Sequence, residues 1–171
     1  MQYSDFRDEI LDIVVVDSPS LNAFAAPGGV VGVNLGLFLQ ADDVHEFSSV
    51  IAHELAHLSQ RHFARRVEER RSGSLTTMAS MIAGLLIGAA GGTDAALATI
   101  SLAQAASQGN QLRYSREREI EADRIGLATM VNAGLDPNGA SRMFERMQRA
   151  YRFTRRPPEF LLTHPLSETR I

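Results

Sequence analysis

Positions 53–57 read HELAH, two histidines four residues apart with a glutamate directly after the first. On a helix, residues four apart project from the same face, so His53 and His57 can share one metal ion. Glu54 is rotated about 100° around the helix, which is poor for ligation and suits a base that acts on metal-bound water. The pattern therefore predicts a zinc centre with Glu54 as its catalytic base.

The alternative is a chance HExxH match on a solvated helix face, since short motifs have real false-positive rates. The flanking sequence in Val50–Leu58 argues against it, because it is otherwise almost wholly apolar. Polar side chains in a buried segment need partners, and a metal ion supplies them. The chain has no cysteine, so histidine and carboxylate must hold the one zinc ion that we predict.

A third ligand is expected on a second helix, and the segment at 115–126, SREREIEADRIG, offers four acidic residues. On a helix Glu119 and Asp123 share a face, whereas Glu121 lies about 200° from Glu119. We predict Glu119 as the metal ligand and Asp123 as the group that orients a ligating histidine. The solvated face of an arginine-rich helix accounts for Glu117 and Glu121.

The elements that must position these residues follow from apolar runs, caps and turn residues, and they predict an α+β, mostly helical fold. The extended elements are a strand at Ile10–Val16 and a hairpin that turns at Pro27–Gly29. Three helices follow: one from Asp42 or Asp43 to about Arg71, ended by Gly73; one from Arg113 or Ser115 to near Gly134; and one from Asp136-Pro137 to about Tyr151. Prolines predict a loop for 155–165.

Length and composition indicate one globular domain, here residues 1–171. Hydrophobic residues make up 44% and charged residues 22% of 171 positions, and the net charge is −3, which gives no reason to expect nucleic acid as a partner. The first ten residues contain charges and no apolar run, so we expect no signal peptide in this chain.

The stretch at 72–93 is uncharged and approaches the length of a membrane span. Its many glycines and alanines favour a closely packed helix pair or a mobile flap over the active site. Shallow contact with a membrane surface is a further alternative.

Four blocks of the sequence together resemble one family: HELAH at 53–57, Arg61-His62, the acidic segment Ser115–Asp123, and THP…RI at 163–171. They are similar to the gluzincin metallopeptidases, which include the CAAX prenyl endopeptidases and the membrane protease HtpX, and within them to the soluble periplasmic beta-barrel assembly-enhancing proteases. The family pattern also places the third ligand at Glu119.

The resemblance implies a zincin-like domain with a small N-terminal sheet or hairpin, a long HExxH helix and a second ligand-bearing helix. It implies a periplasmic zinc endopeptidase that hydrolyses unfolded or misassembled polypeptides. The soluble relatives also carry a signal peptide, a longer N-terminal region and tetratricopeptide repeats. We therefore expect this chain to be a catalytic domain alone, short at its N-terminus.

His164 lies in the THP block, and three roles compete for it. It could stabilise the oxyanion of the tetrahedral intermediate, enter the open zinc position and hold the enzyme latent, or form a local hydrogen bond. Arg170 could hold this segment or contact the substrate, and His45 and His62 are interpreted as structural.

Two further expectations concern binding. The strand at Gly29–Asn34, just before the metal helix, could be an open edge that aligns an extended substrate by β-augmentation. The rival to the enzyme is a metal-stabilised module that holds unfolded proteins without cleaving them. Such a module would keep both histidines but would not need Glu54.

Overall fold

The computed structural model describes residues 11–90, 92–152 and 159–165. Three strands and six helices lie in these ranges. In chain order they are β1 Asp12–Val16, β2 Ala23–Ala26, β3 Val30–Asn34, α1 Leu35–Gln40, α2 Val44–Ser59, α3 His62–Ala89, α4 Thr93–Asn132, α5 Asn138–Arg152 and α6 Glu159–Thr163. The predicted α+β, mostly helical fold class is confirmed, and α1 is an element that was not predicted.

The three strands form one sheet in the order β1-β3-β2. β2 and β3 are the predicted antiparallel hairpin, and Gly28 and Gly29 take positive φ angles of 88° and 77° in its turn, a conformation that glycine adopts without steric cost. β1 pairs with β3 in parallel. The prediction that the strand at 29–34 is an open edge is therefore wrong, because β1 covers its second side through a long-range pairing.

α2 begins where the sequence predicts. Asp43 caps it by accepting the backbone N–H groups of His45 and Glu46, both at 2.8 Å. The helix does not reach Arg71, because Arg61 takes a left-handed φ of 52° and α3 starts at the next residue. Gly73 lies inside α3 and does not stop it, so two helices stand where one was predicted.

The later elements are partly as expected. α4 starts at Thr93 rather than near Arg113, but it ends at Asn132, close to Gly134 as predicted. Gly134 has a φ of 71°, and the Leu135 N–H donates to the Met130 carbonyl at 2.9 Å. α5 confirms the helix after Asp136-Pro137. The predicted loop at 155–165 contains α6, because five residues beyond the prolines suffice for one helical turn.

The chain divides into two compact units. The first comprises residues 1–63 and 118–171, and its described part contains the sheet and a core beneath α2, α5 and α6. Its fully buried apolar members are Leu21, Ala23, Val31, Val33, Leu37, Val50, Met143, Met147 and Phe160.

The second unit comprises residues 64–117, from α3 and α4. Gly84 of α3 is buried there, and a Cβ on it would come within 2.7 Å of the Ile100 side chain of α4. This close approach agrees with the packed helix pair expected from the small residues of the uncharged stretch. No helix among the described residues combines the length and apolar content needed to cross a membrane.

Candidate metal centre

α2 carries the two histidines of the motif on one face. Their Nε2 atoms are 3.0 Å apart, as expected for neighbours one helical turn apart. The helix turns this face inward because Val50, Ala52 and Ala56 beside it are buried. His53 is itself buried and His57 is nearly so. Two imidazole nitrogens therefore meet inside the protein, where each needs a polar partner.

α4 brings a carboxylate to the same point. Glu119 Oε2 lies 3.3 Å from His53 Nε2, and Glu119 Oε1 lies 3.6 Å from His57 Nε2. The carboxylate is only 3% exposed. Helical geometry had selected this residue from the four acids of its segment, and the structure places it beside both histidines.

His164 joins this group from the residue after α6. Its Nδ1 lies 2.9 Å from Glu119 Oε2 and 3.3 Å from His53 Nε2. Its ring stacks on that of Phe160, with ring centroids 4.6 Å apart, and Phe160 is fully buried in the core. His164 is therefore fixed where it can contact the same metal ion as His53, His57 and Glu119.

Asp123 lies behind His53. Its Oδ1 is 2.9 Å from His53 Nδ1, the ring nitrogen that faces away from Glu119. A carboxylate at that atom fixes the ring orientation and leaves Nε2 for a metal. A cavity of about 90 Å³ lies on this side of His53, bounded in part by Met130, Met143 and Phe160.

Glu54 is 1% exposed and lies next to the group without belonging to it. A backbone hydrogen bond from Ala25 of β2 reaches its carboxylate. Its Oε1 accepts no hydrogen bond from any described residue, although His164 Nε2 is 3.3 Å away. A buried oxygen without a donor calls for a partner that the described side chains do not provide.

The donor set fits zinc. In the described part of the chain, one group of histidine and acidic side chains has the geometry to hold a metal ion: His53, His57, Glu119 and His164, whose ligand atoms lie within 4.8 Å of one another. Imidazole nitrogens with one carboxylate oxygen are the donors that catalytic zinc sites use, and three protein ligands leave a position open. His53, His57 and Glu119 would hold the ion, and the buried Glu54 oxygen without a donor beside them would be free to accept a proton from a water molecule that the ion activates.

The titration behaviour of the two motif histidines differs. Burial pushes the pKa of His53 down, but its hydrogen bonds with Asp123 and Glu119 outweigh burial and raise the pKa to about 9. Burial, together with the positive charge of His53, lowers the pKa of His57 to about 2. His57 is therefore a neutral, ready donor at pH 7, while His53 must lose a proton before it can bind a metal.

The two acids also differ in their pKa shifts. Burial raises the pKa of Glu54 above its ordinary value, with His164 and His53 opposing that shift. Burial acts on Glu119 in the same direction, but hydrogen bonds with His164 and His53 hold its pKa well below the usual range. Glu119 thus has the character of a permanent carboxylate ligand, whereas burial makes Glu54 a better proton acceptor than an ordinary glutamate.

Sequence reasoning missed one part of the site. His62 was interpreted as structural and Glu121 as solvent-facing. Instead His62 Nδ1 lies 2.7 Å from His57 Nδ1, and His62 Nε2 lies 3.1 Å from Glu121 Oε2. The sequence signal for this contact was Arg61-His62 in the motif block. It was not recognised because a continuous helix would point His62 away from His57.

The remaining candidates divide simply. His45 bonds the backbone N–H of Asp136 through Nδ1 at 3.2 Å and lies outside the metal group, in agreement with a structural role. Arg170 lies outside the described residues.

An α+β fold with HExxH on one helix and a glutamate delivered by a second helix defines the zinc metalloendopeptidases of the glutamate-ligand type. Comparison with known families agrees. The model of peptidase family M48 matches residues 1–171, and the chain belongs to that family.

Several individual relatives are similar over most of this chain. A beta-barrel assembly-enhancing protease of Vibrio cholerae is 45% identical over 152 residues, 89% of this chain and 31% of its own length. The Escherichia coli protease of that description is 33% identical over 157 residues, 92% of this chain and 32% of its own. The mitochondrial metalloendopeptidase OMA1 of Schizosaccharomyces pombe is 33% identical over 168 residues, which are 98% of this chain and 47% of that protein. The chain thus spans about a third of the first of these relatives.

Proposed function

We propose that this chain is the catalytic domain of a zinc endopeptidase that hydrolyses unfolded or misassembled proteins. One zinc ion would be held by His53, His57 and Glu119. The observation that carries the proposal is the meeting of these three side chains with Glu54, whose Oε1 lacks a hydrogen-bond donor among the described residues.

The chain's own residues supply the proton chemistry. When bound, zinc would polarise the scissile carbonyl and lower the pKa of a water molecule beside it. Glu54 accepts a proton from the attacking water and passes it to the leaving amine nitrogen, a transfer that its raised pKa favours. Asp123 holds the His53 ring so that Nε2 faces the centre.

The edge strand at the site is β2. Asn34 N–H donates to the Asn22 carbonyl at 3.1 Å, so in the antiparallel ladder Phe24 forms the next hydrogen-bonded pair with β3. The backbone groups of Ala23 and Ala25 then point away from β3, and Ala25 reaches Glu54. We propose that an extended substrate lies along β2, recognised through its backbone and therefore with little sequence preference.

The cellular setting is inferred from the relatives. Several of them are named beta-barrel assembly-enhancing proteases, and the resemblance of the motif blocks is to a periplasmic branch. We propose that the protein acts in the bacterial periplasm on polypeptides that fail to assemble in the outer membrane.

A casein assay tests the proposed activity. The zinc-loaded chain should cleave casein. A chelator should stop cleavage until zinc is restored, because the proposed reaction needs the ion to polarise the carbonyl and activate the water. A chain that holds zinc and binds casein without cleaving it would be either latent or a non-catalytic interaction module. The His164→Ala variant distinguishes the two.

His164 is proposed to hold the enzyme latent by entering the open zinc position, since its Nδ1 lies 2.9 Å from Glu119 Oε2 and 3.3 Å from His53 Nε2. If it occupies that position nine-tenths of the time, His164→Ala should raise casein cleavage about tenfold. Leu162→Ala is the matched control, because Leu162 lies on α6 with an exposed side chain. A drop of about a hundredfold would instead assign His164 to the oxyanion of the transition state.

Peripheral contact with a lipid surface is proposed for the second unit. Its uncharged stretch exposes a series of large apolar side chains: Leu75, Met78, Met81, Ile82, Leu85 and Leu86. The chain should co-sediment with vesicles of phosphatidylethanolamine and phosphatidylglycerol, and Leu85→Ser with Leu86→Ser should abolish it. Leu39→Ser, a change at an even more exposed leucine in the first unit, should not. Equal sedimentation of all variants would remove the proposal.

A further inference from the structure

His57 has an unusual partner on its far ring nitrogen. A metal-ligating histidine ordinarily donates its second N–H to a carboxylate, a carbonyl or water, as His53 does to Asp123. His57 Nδ1 instead faces another imidazole nitrogen, His62 Nδ1, at 2.7 Å. The two rings meet edge to face, with centroids 4.8 Å apart and an angle of 73° between their planes.

The helix break makes this contact possible. In one continuous helix His57 and His62, five residues apart, would point about 140° away from each other. α2 ends at Ser59, and the left-handed Arg61 redirects the chain so that α3 starts with His62 turned back toward His57. His62 is 4% exposed, so its ring nitrogens need partners inside the protein.

The far end of the chain of contacts is a carboxylate. His62 Nε2 lies 3.1 Å from Glu121 Oε2, and an ionised carboxylate can only accept. His62 Nε2 must therefore carry a hydrogen. In neutral His62 the Nδ1 atom is then an acceptor, so the hydrogen between the two rings must sit on His57 Nδ1. The remaining nitrogen, His57 Nε2, keeps its lone pair.

We propose that His62 and Glu121 are positioning residues that select the tautomer of His57 able to bind zinc. The inference rests on the proposed zinc site but concerns residues outside the four-residue group that could hold the metal. The order of donation is His57 Nδ1–H to His62 Nδ1, then His62 Nε2–H to Glu121. With this order reversed, His57 Nε2 would carry a hydrogen and could not be a ligand.

Zinc affinity of the full chain, measured by competition with a chromophoric chelator, is the first readout. His62→Leu removes the acceptor and should weaken zinc binding by about 10- to 100-fold, the usual effect of losing a ligand's hydrogen-bond partner. His62→Asn places an amide oxygen near the position of Nδ1 and should restore affinity to within about threefold of the wild type. Glu121→Gln, whose amide can either donate or accept, should fall between them.

Glu117→Gln is the matched control. Glu117 lies one turn before Glu121 on α4 and pairs with Arg113 on the surface at 2.8 Å, so its loss should leave zinc affinity unchanged. Thermal melting of the zinc-free variants separates positioning from packing. Equal loss of affinity in His62→Leu and His62→Asn, in step with lowered melting temperatures, would assign His62 to packing alone and overturn the proposal.

Long-range ¹H–¹⁵N NMR of the zinc-free chain is the second readout, since it reports which ring nitrogen carries the hydrogen. His57 should be the Nδ1–H tautomer in the wild type and in Glu117→Gln, and should shift toward Nε2–H in His62→Leu. An Nε2–H tautomer in the wild type would contradict the inference. A wild type that shows the Nδ1–H tautomer but binds no zinc would overturn the proposed function instead, so the two failures are distinguishable.

Discussion

Replacing Glu54 with glutamine is expected to lower the kcat for casein cleavage by about 10²- to 10⁴-fold, the usual contribution of a positioned general base. Glutamine has nearly the same shape and cannot take a proton from water. Because Glu54 is 1% exposed, a smaller residue would leave a cavity and confuse loss of chemistry with loss of packing. The isosteric change isolates the proton transfer.

A measurement of zinc binding shows whether the lost activity reflects loss of the base or loss of the metal. Glu54 is not among the side chains that group around the metal position, so Glu54→Gln should bind zinc within about threefold of the wild type. Glu145→Gln, an exposed change on α5, should alter neither activity nor affinity. Retention of more than a tenth of wild-type activity by the zinc-loaded Glu54→Gln chain would show that another group acts as the base.

Zinc affinity is expected to rise about tenfold per pH unit between pH 6.5 and about 9, and then to level off. The reason is His53, whose pKa is raised to about 9 by Asp123 and Glu119. Below that pH zinc must displace one proton from this ring. His57 adds nothing to the slope, because its pKa of about 2 leaves it neutral throughout.

The same shift has the opposite effect on the fold without zinc. A histidine whose pKa is raised on folding contributes stability below about pH 6.5, and that contribution is lost as the pH passes about 9. Calorimetry of zinc binding in two buffers should show release of about one proton at pH 7. Asp123→Asn should shift the levelling point to lower pH. A pH-independent affinity in the wild type would show that His53 is already neutral.

Sequence reasoning could single out the side chains that the structure brings together because the information that selects them is local. HExxH and the Glu119–Asp123 spacing each fix a face of one helix, and the structure brings those faces together. The sheet order was not available in the same way, since the pairing of β1 with β3 joins segments that no turn connects. The expectation of an open edge at 29–34 failed for that reason.

The helix break had a different cause. Nothing in residues 59–62 requires a stop, since arginine is a good helix former, yet Arg61 adopts φ 52°. One backbone angle converts a continuous helix into two and brings His62 to His57. Glu121 contacts His62 only because the chain turns at Arg61. The spacing of acids along α4 alone therefore could not distinguish Glu121 from the solvent-exposed acids.

The stacking of His164 on Phe160 links the proposed latency to the hydrophobic core. Phe160 is fully buried among Met143, Met147 and their neighbours, and it also bounds the cavity behind His53. If His164 holds the enzyme latent as proposed, its withdrawal to admit a substrate would break the stacking contact with Phe160. Methionine side chains are flexible enough to repack around Phe160, so core residues away from the substrate would influence the proposed balance between the latent and the open enzyme.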